Sequence, residues 1–184
     1  MGLFYKVVAV CGGVAVVALA AYSARYLFRR PTDAETIPAT PLQIRAWVGL
    51  GLGLVVALLT AAVLVARGVD GFAADPRTRL LVVGIFVGGL GLYGLIVWRL
   101  RSEHGEVLLD ERDHAVLHRA GAFQAWAVLA CLVVWAIALT EAYWDAGAIP
   151  VVYPYLILWS CFIVHAVALA AGVLLAYRRA ERDG

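Results

Sequence analysis

The sequence predicts an all-α protein that crosses a membrane with five helices. Of its 184 residues, 64% are hydrophobic and the mean hydropathy is +0.87, whereas soluble domains are roughly 45–50% apolar. Five apolar runs, most of them close to the roughly 20 residues that cross a hydrocarbon core, alternate with short polar segments. No Asp, Glu, Lys or Arg lies within any of these runs. Together these features predict a polytopic membrane protein.

The first predicted span covers residues 1–28 and contains an apolar run, 7–24, that follows Lys6. A signal peptide is the competing interpretation, because Ala18-Leu19-Ala20 can serve as a cleavage site. Residues 29–41 contain three of the six prolines and are polar. We therefore expect a Pro-rich cytoplasmic linker after the first span.

Residues 42–101 are predicted to form a hairpin of the second and third spans. Thr40 can cap the second span, and Gln43 completes a capping box with it. The uncharged run 46–66 follows, and Gly68 and Gly71 are expected to end the helix. The Asp75-Pro76 pair then starts the third span, which has its uncharged run at 80–98.

Residues 102–184 are predicted to form a charged cytoplasmic stalk followed by a hairpin of the fourth and fifth spans. Asp110 is the expected N-cap of a helix over 111–141. Such a helix is about 46 Å long, against a hydrocarbon core of about 30 Å, so about ten residues should project from the membrane. The fifth span follows an aromatic turn, 141–155, and continues to about residue 179.

The distribution of basic residues predicts the orientation. With the N-terminus outside and the C-terminus in the cytoplasm, eleven basic residues lie on the cytoplasmic side and four lie outside. Lys6 is the only lysine, and this bias toward Arg indicates a GC-rich genome. We therefore expect a multi-pass protein of a bacterial inner membrane.

Composition also restricts the function. The chain has 15 basic and 13 acidic residues, which gives no basis for a nucleic-acid partner. Its three cysteines lie in apolar runs without a CxxC pair and are expected to be buried thiols. We predict no enzymatic activity, no catalytic residues, no metal ion and no cofactor. The expected partners are membrane lipids and other membrane-protein subunits, or further copies of the chain.

His165 is the one ionisable group near the middle of a predicted span. It shares a helical face with small residues that include Ala168 and Gly172, so it should point toward protein and not lipid. A packing histidine that bonds to the Trp135 indole is the simplest interpretation. A proton relay and an axial ligand for haem or a chlorin are the alternatives, and for these His165 is the candidate residue.

Small residues predict where the helices pack. Gly84 and Gly88 form a GxxxG pattern in the third span, and Ala168 and Gly172 form a similar small face in the fifth. Aromatic residues fall near the predicted membrane interfaces and are expected to form an aromatic belt: Trp47, Trp98, Trp144, Tyr143, Tyr153, Tyr155 and Tyr177.

The stalk carries the densest charge in the chain. At 100° per residue its acidic and histidine side chains fall within one 160° sector, which we predict to be a docking surface: Asp110, Glu111, Asp113, His114 and His118. Arg112 and Arg119 lie on the opposite side and, with Arg178 and Arg179, are expected to contact lipid headgroups. Glu111-x-x-His114 has the spacing of half a di-iron site, but a second such pair is missing.

The sequence Asp110-Glu111-Arg112-Asp113, followed by Arg119 and by two spans that end in Tyr177-Arg178-Arg179, resembles a family of small prokaryotic membrane proteins. Those proteins carry a DERD-type motif before a terminal helix pair ending in YRR, and the domain has no assigned function. The resemblance covers about residues 108–180. It implies a terminal membrane hairpin and no activity.

These features lead to three functional hypotheses. The first is a non-catalytic membrane protein that acts through helix packing and its charged stalk, as an accessory subunit of a membrane complex or as a homo-oligomer. The second is a small transporter or channel that uses His165. The third is a redox or pigment-protein subunit that binds a cofactor through His165 or through the Glu111, His114 and His118 cluster.

Overall fold

The computed structural model describes residues 40–104 and 110–180, with side chains for 40–99 and 110–180. This part of the chain forms four helices, α1 (Pro41–Ala74), α2 (Pro76–His104), α3 (Glu111–Tyr143) and α4 (Val152–Ala180). They correspond to the second to fifth predicted spans, and each is long and apolar enough to cross a membrane. The all-α, multi-pass character is therefore confirmed. The first predicted span and nearly all of the linker lie outside the described residues, and the orientation stays a prediction.

The start of α1 follows from the predicted capping box. The Gln43 amide N–H donates to Thr40 Oγ1 at 3.2 Å, and the Thr40 amide N–H donates to Gln43 Oε1 at 2.8 Å. Pro41 occupies the first helical position, where its missing N–H is not needed. The predicted capping box is thus confirmed.

The end of α1 differs from the prediction. Gly68 adopts φ 70° and ψ 166°, which breaks the helical geometry there, yet a further helical segment follows and α1 ends only at Ala74. Glycine tolerates this positive φ because it has no Cβ. The extra segment is held by Phe72, whose side chain is only 2% exposed. Gly68 therefore bends α1 instead of ending it.

Asp75 separates α1 from α2. Its carboxylate accepts hydrogen bonds from the Arg77 backbone N–H at 3.0 Å and from Thr78 Oγ1 at 2.9 Å. These bonds satisfy donors at the start of α2, as the Asp-Pro pattern predicted. They also lower the pKa of Asp75, with the Thr78 hydroxyl as the main cause and the Arg77 N–H next.

Helix α4 is the centre of the bundle, because both α1 and α3 pack along it, whereas α2 packs mainly on α1. Helices α3 and α4 run antiparallel: Ala120 meets Gly172 at one end, and Tyr143 meets Tyr153 at the other. The first turns of α3 therefore run beside the last turns of α4 and do not project alone.

The buried residues form two separate clusters. The small-residue core lies where α1 and α3 begin and α4 ends, and it comprises Ala46, Leu50, Val116, Ala120, Ala170, Ala171, Val173, Leu174, Ala176 and Tyr177. The aromatic core lies toward the other end of the bundle, and it comprises Phe72, Val82, Phe86, Leu139, Tyr153 and Leu156.

Candidate functional site

The predicted docking surface at the start of α3 is divided by the structure. Asp110, Glu111, His114 and His118 are exposed, but Asp113 is buried, with 9% of its surface accessible. At 100° per residue, Asp113 lies within 60° of Val116 and Ala120, which pack against α4. Asp113 therefore belongs to the buried face of α3, and including it in the docking surface was wrong.

Tyr177 is the partner of Asp113. The Tyr177 hydroxyl donates a hydrogen bond to Asp113 Oδ1, and the Tyr177 side chain is only 2% exposed. Of the residues expected in the aromatic belt, Tyr177 and Tyr153, at 2% and 5% exposed, therefore face protein and not lipid, and the interfacial position of the belt stays a prediction. Burying a carboxylate costs free energy unless the group is hydrogen-bonded. The hydrogen bond from the Tyr177 phenol offsets this cost for Asp113. The bond ties the start of α3 to the end of α4.

The arginines of this end differ in their surroundings. The guanidinium carbon of Arg112 lies 5.7 Å from the centre of the Tyr177 ring, within the range of a cation–π contact. Arg119 and Arg179 are exposed and Arg178 is half-buried. Contact of these four arginines with lipid headgroups stays a prediction.

His165 has a different partner from the one expected. Its Nδ1 lies 2.8 Å from Nε2 of Gln124 on α3, whereas the Trp135 indole donates to Ser160 Oγ at 2.7 Å. With the amide donating, a neutral His165 carries its proton on Nε2. Gln124 and His165 each lie 13 residues from the start of their helix, so the pair is near the middle of both, as predicted for His165. His165 is nevertheless exposed on the bundle surface and does not point into the protein as expected.

Ser160 makes polar contacts that were not predicted from the sequence. Besides the Trp135 indole, its oxygen lies 3.7 Å from Cys131 Sγ, and its hydroxyl donates to the carbonyl of Ile157 at 2.9 Å. All of these partners lie on α3 or on α4 itself. The cluster satisfies polar atoms inside the apolar segments, and it therefore serves to hold α3 against α4.

The structure separates the predicted packing residues into two groups. A Cβ added to Gly172 would lie 3.0 Å from Cα of Ala120, and Ala168 is 3% exposed, so both lie at a close helix contact. By contrast, a Cβ added to Gly84 or Gly88 would meet no atom of the described residues within 4 Å. These two glycines are exposed and contact no other described helix.

Helix α2 thus has two opposite faces. Val82, Phe86 and Gly89 lie on the face that packs within the bundle, and a Cβ added to Gly89 would come within 2.6 Å of Val56 on α1. Gly84, Gly88 and Gly91, which we call the glycine face, lie on the other side. At 100° per residue the centres of the two faces are about 160° apart. The glycine face is therefore directed away from the four described helices, and a Cβ added at any of its three positions would meet no atom of residues 40–99 or 110–180 within 4 Å.

The exposed cluster of Glu111, His114 and His118 was the alternative metal site. Within residues 40–99 and 110–180, no three His, Cys, Asp or Glu side chains lie close enough together to hold a metal ion. This end of α3 therefore presents an exposed surface of acidic and imidazole groups.

Comparison with known proteins adds no relative. No protein family, no curated protein and no solved structure matches this chain. The resemblance of residues 108–180 to the DERD-motif family therefore stays a prediction.

Proposed function

We propose that this chain is a non-catalytic membrane protein that acts by assembling with other transmembrane helices, as an accessory subunit or as a homo-oligomer. The observation that carries the proposal is the direction of the glycine face. In a bilayer, helices associate through small residues that let their backbones approach, since lipid tails provide no hydrophobic driving force. A glycine face that packs against no described helix is suited to a helix from outside the described bundle.

The exposed part of the stalk supports the same function. Asp110, Glu111, His114 and His118 give α3 a polar surface beyond the apolar segment, which is available to a soluble part of the same partner. This surface is anchored, because Asp113 beneath it is bonded to Tyr177. A rigid polar surface loses less conformational entropy on binding than a flexible one.

Location and orientation belong to the proposal. We place the protein in a bacterial inner membrane with its C-terminus in the cytoplasm. Four helices of sufficient length and hydropathy support a multi-pass protein. The excess of Arg at the start of α1, at both ends of the stalk and from the last turn of α4 onward supports the orientation.

The test is the mass of the particle extracted in a mild detergent. The wild-type chain should run as a homo-oligomer or with a co-purifying membrane protein, and Gly84→Leu with Gly88→Leu should reduce it to a single chain. Gly51→Leu is the matched control, because Gly51 also has no atom within 4 Å of an added Cβ but lies on α1. A wild-type particle that is a single chain without any partner would contradict the proposal.

A further inference from the structure

A groove of about 680 Å³ lies between α1 and α2, at the end of the bundle where these helices are joined through Asp75. Its walls change character along their length. Arg67 on α1 and Arg77 on α2 line one end together with Asp75, whereas Leu59, Leu81 and Ile85 line the other. Each arginine is eight residues, about 12 Å of helix, from the apolar end of its wall. The groove is therefore amphipathic along the membrane normal.

We propose that this groove binds one phospholipid with an ethanolamine headgroup, its phosphate against Arg67 and Arg77, its ammonium against Asp75 and an acyl chain along the apolar walls. Arg67 lines the α1 wall and Arg77 the α2 wall at the charged end. Guanidinium groups match the oxygens of a phosphate in charge and in hydrogen-bond geometry. Basic pockets between transmembrane helices bind lipid headgroups by this chemistry.

The carboxylate of Asp75 accounts for the choice of headgroup. Its oxygens accept hydrogen bonds from the Arg77 N–H and from the Thr78 hydroxyl, and the Thr78 backbone N–H is a third donor to this carboxylate. A carboxylate has about four lone-pair sites, so at least one remains for an incoming donor. A primary ammonium brings three N–H donors, whereas the quaternary ammonium of a choline headgroup brings none. The same carboxylate disfavours a lipid whose headgroup has a net negative charge.

The apolar end of the groove accounts for a lipid and not a soluble ligand. Leu59 and Leu81 are 49% and 52% exposed, so their side chains remain open to whatever fills the groove. The charged end lies at the helix termini, where a lipid headgroup lies, and the apolar end extends toward the middle of the spans. A single phospholipid meets both requirements at once.

The test is native mass spectrometry of the full chain in detergent, with equal amounts of ethanolamine, choline and glycerol phospholipids of identical acyl chains. The ethanolamine lipid should be retained about fivefold more than the other two, the size expected of one partly exposed ionic hydrogen bond. Asp75→Asn keeps a good helix cap, and it should reduce ethanolamine retention to the level of choline. Arg67→Gln with Arg77→Gln should remove retention of all three lipids.

Arg79→Gln is the control, because Arg79 is exposed on α2 at the same end of the bundle but does not line the groove, and its loss should leave the preference for the ethanolamine lipid unchanged. Equal retention of the three lipids by the wild-type chain would overturn the proposal, as would undiminished retention by the Arg67 and Arg77 variant. If the wild-type chain is a dimer and Arg67→Gln with Arg77→Gln dissociates it, the occupant of the groove is a second copy of the chain and not a lipid. These results are independent of the glycine face, which can hold a partner whether or not the groove holds a lipid.

Discussion

At the end of the bundle where α1 and α3 begin, the helices meet through alanine, glycine and valine, whereas near the other end they meet through aromatic rings. In the small-residue core, the space beside Gly172 is filled by the backbone of Ala120. In the aromatic core, the rings of Phe86 and Trp159 lie with their centres 4.2 Å apart and fill the space between helices. The first core should be sensitive to added volume, and the second to lost volume.

The two ends of the bundle also differ in the polar groups that they bury and in the hydrogen bonds of those groups. Asp113 is buried and held by the Tyr177 hydroxyl, so a charged or strongly polar atom lies inside the small-residue core. Near the aromatic core, the polar contact joins two neutral phenols, with Tyr143 donating to Tyr153 at 2.9 Å. Hydrogen bonds to charged groups are worth roughly twice as much as neutral ones. The end with the smaller side chains is therefore also the end that depends more on one hydrogen bond.

The largest effect is expected from Gly172→Leu. The new Cβ alone would lie 3.0 Å from the Ala120 Cα, and the rest of the side chain has to push α3 away from α4. Overpacking of this kind should lower the free energy of unfolding by about 3 kcal/mol. Thermal unfolding of the solubilised protein measures the loss. Gly121→Leu is the control, since no atom of the described helices lies within 4 Å of a Cβ there, and an equal loss in both variants would contradict the close contact.

Phe86→Ala should have the next largest effect. Removing the ring leaves a cavity beside Trp159 in the aromatic core. The cavity and the lost ring contact should reduce the free energy of unfolding by about 2 kcal/mol, less than in water because the bilayer provides little transfer term. Val87→Ala removes an exposed side chain on the same helix and should be almost neutral. If both substitutions are neutral, α2 is not held by the aromatic core.

Comparison of Tyr177→Phe with Tyr143→Phe isolates the hydrogen bonds at the two ends. Tyr177→Phe leaves the buried Asp113 without its phenol donor and should reduce the free energy of unfolding by about 1.5 kcal/mol. Tyr143→Phe removes a neutral bond and should cost about 0.5 kcal/mol. Denaturant titrations of both variants give the comparison. The reverse order would show that Asp113 is not the more dependent group.

The smallest effect concerns the pH dependence of the exposed cap at Asp75. Hydrogen bonds from Thr78 and Arg77 lower the pKa of Asp75, so the folded state favours the ionised carboxylate. The resulting stability is present above the pKa of the unfolded chain, about 3.9, and is lost as the pH falls through the lower folded value. The melting temperature of the wild-type chain should therefore decrease as the pH falls below about 4. Asp75→Asn caps without titrating, so this part of the loss should disappear in that variant.

Much of the fold could be predicted because it depends on local physics. The lengths of the apolar runs locate four described spans, and the capping patterns at Thr40, Asp75 and Asp110 locate three helix starts. The burial of Tyr177 was not predicted, since a tyrosine that faces lipid and one that faces protein can have the same position along a helix. The spacing of Ala170, Val173, Leu174 and Tyr177 on one face was the signal that could have identified it.

The sites were less predictable because they depend on which helices are neighbours. The bond between Gln124 and His165 joins residues 41 positions apart, and no periodicity within either helix reveals it. The same limit applies to glycine. Gly84 and Gly172 both lie in small-residue patterns, yet one is directed away from the bundle and the other lies against Ala120. A sequence pattern indicates that a face can pack, but not which surface covers it.

Cross-linking from Leu95 in intact membranes tests the central claim most directly. Leu95 lies on the glycine face and is 57% exposed, so a photoreactive residue there alters none of the three glycines. Val65 on α1, which is 85% exposed, is the matched control. If the glycine face is an assembly surface, the probe at Leu95 should yield a discrete protein adduct, either a second copy or one partner, and the probe at Val65 should yield lipid adducts. Lipid adducts alone from both positions would contradict the account.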